Sequence, residues 1–397
     1  MRRVRGFTYF QKDITMIKKT FLLLLLFTLS LFANVTVGAK QTEQYFPLLK
    51  GKRVALVVNQ SSLVDGEHLV DRLLREQIDV VKIFAPEHGF RGTADAGQHV
   101  KSNLDPQTGL PIISLYGKHK KPTRSDLKDV DILVFDIQDV GVRFYTYLST
   151  LHYIMEAGAE SHKPVIVLDR PNPNGSRIDG EVLNLKYKSF VGMHPVPILY
   201  GMTIGEYAKM INGQEWLKGH KKANLTVVPL ANYTHNTFYS LPVKPSPNLP
   251  NDLSIYLYPS LAFFEGTVFS AGRGTTKQFQ LYGDPHYKKH HYAFTPISRE
   301  GAKYPKHKGK KCYGVDLSSE SIVSGAGINL SYLLDAYKNY PYKKRFFLKN
   351  HFIDKLSGSS NLRKQVLSGK SEKSIKKSWQ KGLKAFKVIR EKYLIYP

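Results

Sequence analysis

Short apolar runs alternate with stretches of helical periodicity over the first two hundred residues after position 39. Apolar runs rich in β-branched residues predict buried strands at 53–59, 80–85, 112–115, 132–136, 165–169 and 225–230. Between them, apolar residues spaced by three and four positions predict helices at 69–75, 146–161 and 204–211. Because continuous apolar strands separated by helices are typical of a parallel sheet covered on both faces, we expect an α/β domain.

The pattern changes at a proline-rich segment, 240–250, which predicts an extended crossover into a second domain. Beyond it, short apolar runs are mixed with helical stretches near 330–339 and 372–393. In the last stretch, apolar residues recur every three or four positions and lysines fill the other face, which predicts an amphipathic helix. We therefore expect an α/β domain over 40–240 and a smaller α+β domain over 241–397.

The first 39 residues have the features of a targeting segment. Lys18 and Lys19 precede an apolar run at 20–33 that is short for a membrane span and has no stop-transfer pattern after it. Small residues near its end offer cleavage sites. We expect a secretory signal peptide within 1–39, whose removal leaves a periplasmic or secreted protein without stable membrane insertion. A retained membrane anchor is the alternative.

The charge is unusual, because 58 Lys and Arg residues against 32 Asp and Glu residues give a net charge of +26. Much of the excess lies in 341–397, which holds sixteen basic and three acidic residues. The sequence has no nucleic-acid-binding motif, so an anionic cell-wall polymer is a better candidate partner than nucleic acid. An ordinary solvated face is the simpler alternative. The single cysteine, Cys312, excludes an internal disulfide framework and a Cys-rich metal site.

Polar residues follow several of the predicted strands. They are Asn59 after the first strand, Glu87, His88 and Arg91 after the second, Asp136, Gln138, Asp139, Arg143 and Tyr145 after the fourth, and Asp169, Arg170, Asn172 and Glu181 after the fifth. Since ligands bind at the carboxyl ends of parallel strands, we expect these groups to form one polar site. Structural ion pairing at a buried sheet edge is the alternative.

Missing motifs disfavour several kinds of chemistry. No Gly-x-Gly-x-x-Gly turn or phosphate-binding loop follows the first strand, and the esterase and zinc-protease motifs are missing. Glycoside cleavage needs one protonated carboxylic acid and an anionic partner, roles that suit Glu87 and either Asp136 or Asp139. Nearby aromatic residues such as Tyr145 suit stacking on sugar rings or ordinary core packing. A metal site of His88, Asp136 and Asp139 is a weaker alternative.

Several segments, in order along the chain, resemble the exo-β-N-acetylmuramidases, glycoside hydrolases that act on peptidoglycan fragments. They are Ala85–Gly92, Phe135–Tyr147, Leu168–Gly175, Asp179–Glu181, His194–Thr203, Ser246–Leu249, Tyr258–Thr267 and Gly272–Thr275. The resemblance implies a Rossmann-like domain, a smaller C-terminal domain and an active-site cleft between them. It also implies release of N-acetylmuramic acid from the non-reducing end of sugar chains, with neither a nucleotide nor a metal cofactor.

Carried onto this sequence, the resemblance makes Glu87 the acid–base candidate and adds Glu265 as a substrate-binding candidate. Tyr200 is a further candidate because its ring could stack on a sugar, and Arg273 because its guanidinium group could bind an anion. N-Acetylmuramic acid carries a carboxylate, so its pocket needs a cation. The candidate cations are Arg91, Arg143, Arg170 and Arg273.

Three mechanisms and three functions stay open at this point. The attacking group is a carboxylate nucleophile, an inverting water, or the sugar's own acetamido oxygen held by one of the two acids after the fourth strand. The third mechanism is favoured, because adjacent acids with a glutamine suit holding an amide. An exported exo-muramidase is the leading function. A non-catalytic binder of wall sugars or muropeptides is the alternative, followed by an amidase or esterase acting on wall material.

Overall fold

The computed structural model describes residues 34–87, 89–90 and 103–397. Its strands are β1 (Val54–Val58), β2 (Leu63–Val64), β3 (Glu67–His68), β4 (Val80–Ala85), β5 (Asn103–Leu104), β6 (Pro111–Ser114), β7 (Ile132–Asp136), β8 (Val165–Leu168), β9 (Ile178–Asp179), β10 (Leu199–Tyr200), β11 (Leu225–Val228), β12 (Leu281–Asp284), β13 (Tyr292–Phe294) and β14 (Cys312–Asp316). Its α-helices are α1 (Thr42–Leu49), α2 (Leu69–Arg75), α3 (Tyr147–Ser161), α4 (Ile204–Gly213), α5 (Asp252–Leu261), α6 (Ser331–Asn339), α7 (Phe352–Ser357), α8 (Asn361–Leu367) and α9 (Glu372–Glu391). Of the segment 1–39 that was predicted to contain a signal peptide, residues 1–33 lie outside the described residues.

A seven-stranded sheet in the order β11-β8-β7-β1-β4-β6-β5 organises the N-terminal half. Every pairing in it is parallel except that of β5 with β6, which is antiparallel. The predicted α/β class is therefore confirmed, and all six predicted strands lie in this sheet. The edge strand β5 and the short β2–β3 and β9–β10 ribbons were not predicted. Each of these strands is two residues long, which is too short to produce a periodic pattern.

Both faces of the sheet are buried, which explains why its strands are continuous apolar runs in the sequence. Along β1, Val54, Leu56 and Val58 pack into one buried cluster, whereas Ala55 and Val57 pack into another. Alternate residues of a strand point to opposite faces, so both sets must be apolar.

The C-terminal half combines a three-stranded antiparallel sheet, in the order β12-β14-β13, with helices α5 to α9. The expected smaller α+β part of the fold is confirmed. Its core is continuous with that of the first half, because Phe263 and Trp379 belong to the same buried cluster as Ala55 and Val57. The domain limits of 40–240 and 241–397 stay a prediction.

The end of the chain returns to the N-terminal half. The predicted apolar stripe of α9 is buried at Ile375, Trp379, Leu383 and Phe386. Beyond the helix, the Tyr396 hydroxyl donates to Asp169 Oδ2 at 2.6 Å. Among the described residues, no helix combines the length and apolar character needed to cross a membrane.

Candidate active site

A cavity of about 490 Å³ lies between the two halves of the chain. The N-terminal half contributes to its wall the residues Glu87, Tyr116, Lys120, Tyr145, Thr146 and Tyr147. The C-terminal half contributes Ser246, Asn248, Tyr258, Glu265, Arg273, Phe279, Phe352 and Leu356, among others. Neither half forms this cavity alone, so residues from distant parts of the sequence converge there.

Glu87 reaches the cavity from a tight turn that follows β4. The Gly89 amide donates to the Pro86 carbonyl at 3.0 Å, and Gly89 has φ 77°. A positive φ is costly for a residue with a Cβ, so glycine suits this turn. The turn holds the partly buried Glu87 side chain at the carboxyl edge of the sheet, where the strand pattern placed it.

The start of α3 holds Glu87 in place. Thr146 precedes the helix, and its hydroxyl donates to Glu87 Oε2 at 2.6 Å. The next residue, Tyr147, accepts a hydrogen bond from Asn59 Nδ2 at 2.9 Å. Burial and the nearby Glu87 carboxylate raise the pKa of Tyr147, so its hydroxyl stays protonated. The predicted Asn59 therefore lies behind the cavity wall and supports a wall residue.

Aromatic rings form one wall of the cavity. Tyr145 meets Tyr147 edge-on with ring centroids 4.8 Å apart, and Tyr258 meets Phe279 at 4.8 Å. The Tyr145 hydroxyl donates to the Pro245 carbonyl at 2.6 Å, which ties this wall to the proline-rich crossover. Rings in such a wall can pack against the apolar face of a sugar.

The C-terminal half supplies a carboxylate and a cation to the same cavity. Arg273 Nε lies 3.3 Å from Glu265 Oε1. Burial by itself would raise the pKa of Glu265, but Arg273 and Lys306 hold it below its usual range. The glycines flanking Arg273 have φ 81° and 80°, and their backbones approach Lys277 and Ile297 too closely for a Cβ. Glu265 is therefore anionic, and Arg273 is held by a rigid backbone.

Asp139 lies behind the aromatic wall and does not line the cavity. It accepts hydrogen bonds from the Tyr200 hydroxyl and, at 2.7 Å, from the Gly141 amide. Burial raises the pKa of Asp139 to about 7 despite these donors. Tyr200, predicted to bind substrate, is fully buried in this pair.

Asp136 and Arg170 form a buried ion pair away from the cavity lining. The two contacts are Arg170 Nε to Asp136 Oδ1 at 2.5 Å and Nη2 to Oδ2 at 2.8 Å. Asp169 accepts from Tyr396, from Thr203 at 2.7 Å and from the Gly205 amide at 2.8 Å. These acids connect strand ends to loops and to the chain terminus.

The other predicted residues that the structure describes lie in packing positions outside the cavity lining. Arg143 is buried, and its guanidinium group donates to the backbone carbonyls of Glu181, Val196 and Leu356. Burial lowers the pKa of Arg143 to about 10. Gln138, Asn172 and Glu181 likewise bond to neighbouring loops and side chains. Their assignment as substrate-binding residues stays a prediction.

Two predicted residues, His88 and Arg91, lie outside the described residues. Within the described ranges, no group of three His, Cys, Asp or Glu side chains is arranged to hold a metal ion. The alternative metal site also used Asp136, whose two carboxylate oxygens both bond to Arg170.

Sequence reasoning did not single out Thr146, Asn248 or Lys120 for the site. The first two lie within segments quoted for the family resemblance, so that comparison carried a signal for them. Asn248 is buried, and its Nδ2 donates to the Gly301 carbonyl at 2.7 Å. Lys120, which lies 4.7 Å from the centre of the Phe190 ring, had no distinguishing pattern.

Two carboxyl groups and a cation in one aromatic-walled cavity are typical of a sugar-cleaving enzyme. The comparisons with known proteins agree. Family models for the N-terminal and C-terminal regions of the exo-β-N-acetylmuramidase NamZ match residues 54–253 and 256–396. The peptidoglycan β-N-acetylmuramidase NamZ of Bacillus subtilis (strain 168) is 40% identical over 378 residues, covering 89% of each chain.

Two crystal structures of DUF1343 family proteins from Bacteroides fragilis NCTC 9343 share the fold. One has a TM-score of 0.85 and 48% identity, with 92% of this chain and 99% of that chain covered. The other has a TM-score of 0.79 and 30% identity, with coverage of 91% and 99%. The chain belongs to the NamZ exo-β-N-acetylmuramidase family. The predicted family and enzyme class, a glycoside hydrolase, are thereby confirmed.

Proposed function

We propose that this chain hydrolyses the glycosidic bond of a terminal N-acetylmuramic acid residue in peptidoglycan fragments, with Glu87 as the general acid and base. The observation that carries the proposal is that Glu87, Glu265 and Arg273 line one cavity. A carboxyl group beside the scissile oxygen can protonate the leaving group, which contributes about 10²–10⁴-fold to the rate of a typical enzyme.

Arg273 is the proposed partner of the lactyl carboxylate that distinguishes N-acetylmuramic acid from N-acetylglucosamine. A guanidinium group has five N–H donors, so its contact with Glu265 leaves others for a ligand. About a quarter of the Arg273 side chain is exposed, which leaves it accessible from the cavity. Four arginines were predicted as cations for this carboxylate. Arg143 and Arg170 make buried hydrogen bonds within the protein instead, and Arg91 is outside the described residues.

Glu265 is the proposed second carboxylate. It lines the cavity and is held anionic by its cationic neighbours, whereas Asp139 lies behind the wall with a pKa raised to about 7. A cavity-facing anion can attack the sugar, or it can orient a water or the acetamido group. The anomeric configuration of the first product separates inversion from the two retaining routes.

The product assay also tests the proposed site. Wild-type protein is expected to release N-acetylmuramic acid from the N-acetylmuramic acid–N-acetylglucosamine disaccharide. Glu87→Gln should lower kcat by at least 10²-fold with an unchanged Tm, whereas Glu76→Gln on the distant surface should leave kcat unchanged. An active Glu87→Gln enzyme would remove the acid assignment. Tight binding without any turnover by the wild type would favour a muropeptide-binding protein.

We also propose that the protein acts outside the cytoplasmic membrane, in the periplasm or the medium. Support comes from the basic and apolar segment at 16–33 and from the location of peptidoglycan. N-terminal sequencing of protein recovered from these fractions is expected to begin between residues 34 and 40. An intact N-terminus in the cytoplasmic fraction would contradict the proposal.

A further inference from the structure

The last helix carries a row of exposed lysines. We call the exposed residues Lys373, Lys377, Lys381, Lys384 and Lys387 of α9 the lysine face. Within the described residues, none of the five makes a hydrogen bond or an ion pair through its side chain. Lys376, on the same helix, differs because it pairs with Glu372 at 3.0 Å. The lysine face therefore carries five uncompensated charges.

The packing of α9 fixes the direction in which this face points. The apolar residues on its other side, including Ile375, Trp379 and Phe386, are buried in the common core. With a rise of about 1.5 Å per residue, the five lysines extend over about 21 Å. The helix cannot rotate without exposing that core, so the lysines form an ordered row.

Further exposed lysines lie along the chain between a helix of the cavity wall and the lysine face. Helix α7 contributes Phe352 and Leu356 to the cavity wall, and Lys355 between them is exposed. Lys364 on α8 and Lys370 before α9 are also exposed. Cations thus recur along the chain between α7 and the lysine face, and an extended anionic polymer is the ligand that such a distribution suits.

The surroundings of the lysine face disfavour two other anionic partners, a membrane surface and a single-stranded nucleic acid. A helix that lies on a membrane needs an apolar face free to enter the bilayer. The apolar face of α9 is buried in the core. Among the described residues of this helix, Val388 is the one large apolar side chain that is exposed. Single-stranded nucleic acids are usually bound by aromatic stacking, but Trp379 of this helix is buried.

We propose that the lysine face binds the carboxylate-bearing peptidoglycan strand whose terminal sugar occupies the cavity. The choice of this polymer rests on the proposed function. Binding would keep the enzyme on its insoluble substrate between cleavage events, and salt would weaken it because the contact is electrostatic and exposed.

The test is co-sedimentation of the full chain with purified insoluble peptidoglycan that is free of other wall polymers. The lysine-face variant changes all five residues to glutamine. The control variant removes the same charge from exposed lysines elsewhere, namely Lys50, Lys52, Lys128, Lys186 and Lys221. We expect the lysine-face variant to bind at least tenfold more weakly and with a shallower salt dependence, and the control to change less than twofold.

Equal losses in the two variants, or none in the lysine-face variant, would overturn the proposal. A loss confined to anionic lipid vesicles or to DNA, with peptidoglycan binding intact, would also overturn it. Both variants should keep the wild-type Tm and kcat/KM on the soluble disaccharide. If the disaccharide is not cleaved by any of the proteins, the proposed function fails, while co-sedimentation still reports separately on the lysine face.

Discussion

Glu87 and Asp136 lie at the carboxyl edge of the same sheet but in opposite surroundings. Glu87 follows β4, lines the cavity and accepts a hydrogen bond from the neutral Thr146 hydroxyl. Asp136 ends β7, is fully buried and has both carboxylate oxygens on Arg170. The Glu87 carboxyl group is therefore available to a ligand, whereas both carboxylate oxygens of Asp136 are already bonded to Arg170.

This difference is the basis for proposing Glu87, and not Asp136, as the acid that acts on the substrate. An acid bonded to an arginine on both oxygens cannot accept a substrate proton without breaking that contact. An acid that accepts one hydrogen bond from a hydroxyl group and lines a cavity can accept such a proton without breaking an ion pair. The hydrogen-bond partners of each side chain, and not its position after a strand, distinguish the surroundings of these two acids.

The largest expected effect is a loss of stability on breaking the buried ion pair between Asp136 and Arg170. Asp136→Asn should lower the free energy of unfolding by about 3–5 kcal/mol, because it leaves the buried Arg170 charge without its partner. The control is Asp131→Asn, which breaks the exposed bidentate pair with Arg53 and should cost less than about 1 kcal/mol. Denaturant unfolding measures both. Equal losses would show that burial does not distinguish these acids.

The next effect is a pH dependence of stability caused by Asp139. Its pKa is raised to about 7 in the folded protein from 3.8 in the unfolded chain. Between these values the folded state holds a proton that the unfolded chain has released, so stability falls as pH rises toward 7. The upper limit of this fall is about 4 kcal/mol.

Asp139→Asn should remove this part of the pH dependence and make the stability profile flatter between pH 5 and 7. Asp131→Asn is the control, because its lowered pKa keeps it ionised in both states across that range. Unfolding midpoints of the three proteins at several pH values make the comparison. Parallel profiles for wild type and Asp139→Asn would contradict the raised pKa.

A smaller effect is expected from the cation of the cavity. Arg273→Gln should raise KM for a muramic disaccharide by about 10- to 100-fold, since a charge-assisted contact to the lactyl carboxylate is lost. Arg273→Lys should recover part of the affinity because it keeps the charge. The matched substrate is the disaccharide of N-acetylglucosamine, which lacks the lactyl group. An equal change in KM for both substrates would show that Arg273 does not bind the lactyl carboxylate.

The sequence predicted the sheet well because its strands are buried on both faces and its helices have strong periodicity. It predicted that Glu87 and Arg273 converge, since strand ends and family motifs both pointed there. Position after a buried strand did not separate Glu87 from Asp136 and Asp169, and the family resemblance was needed to make Glu87 the acid–base candidate. Their roles depend on partners far away in sequence, such as Tyr396 for Asp169, and those contacts exist only in the folded chain.

The smallest expected effect concerns how Glu87 is held. Thr146→Val removes the hydroxyl that donates to Glu87 Oε2 at 2.6 Å and nearly preserves the shape of the side chain. A typical hydrogen bond contributes about 0.5–1.5 kcal/mol, so kcat should fall about three- to tenfold if the bond orients the acid. Thr146→Ser keeps the hydroxyl and should retain most of the activity. KM for the disaccharide should change little in either variant, because the contact acts on Glu87 and not on the sugar. Activity that falls equally in both variants would assign Thr146 a packing role at the start of α3.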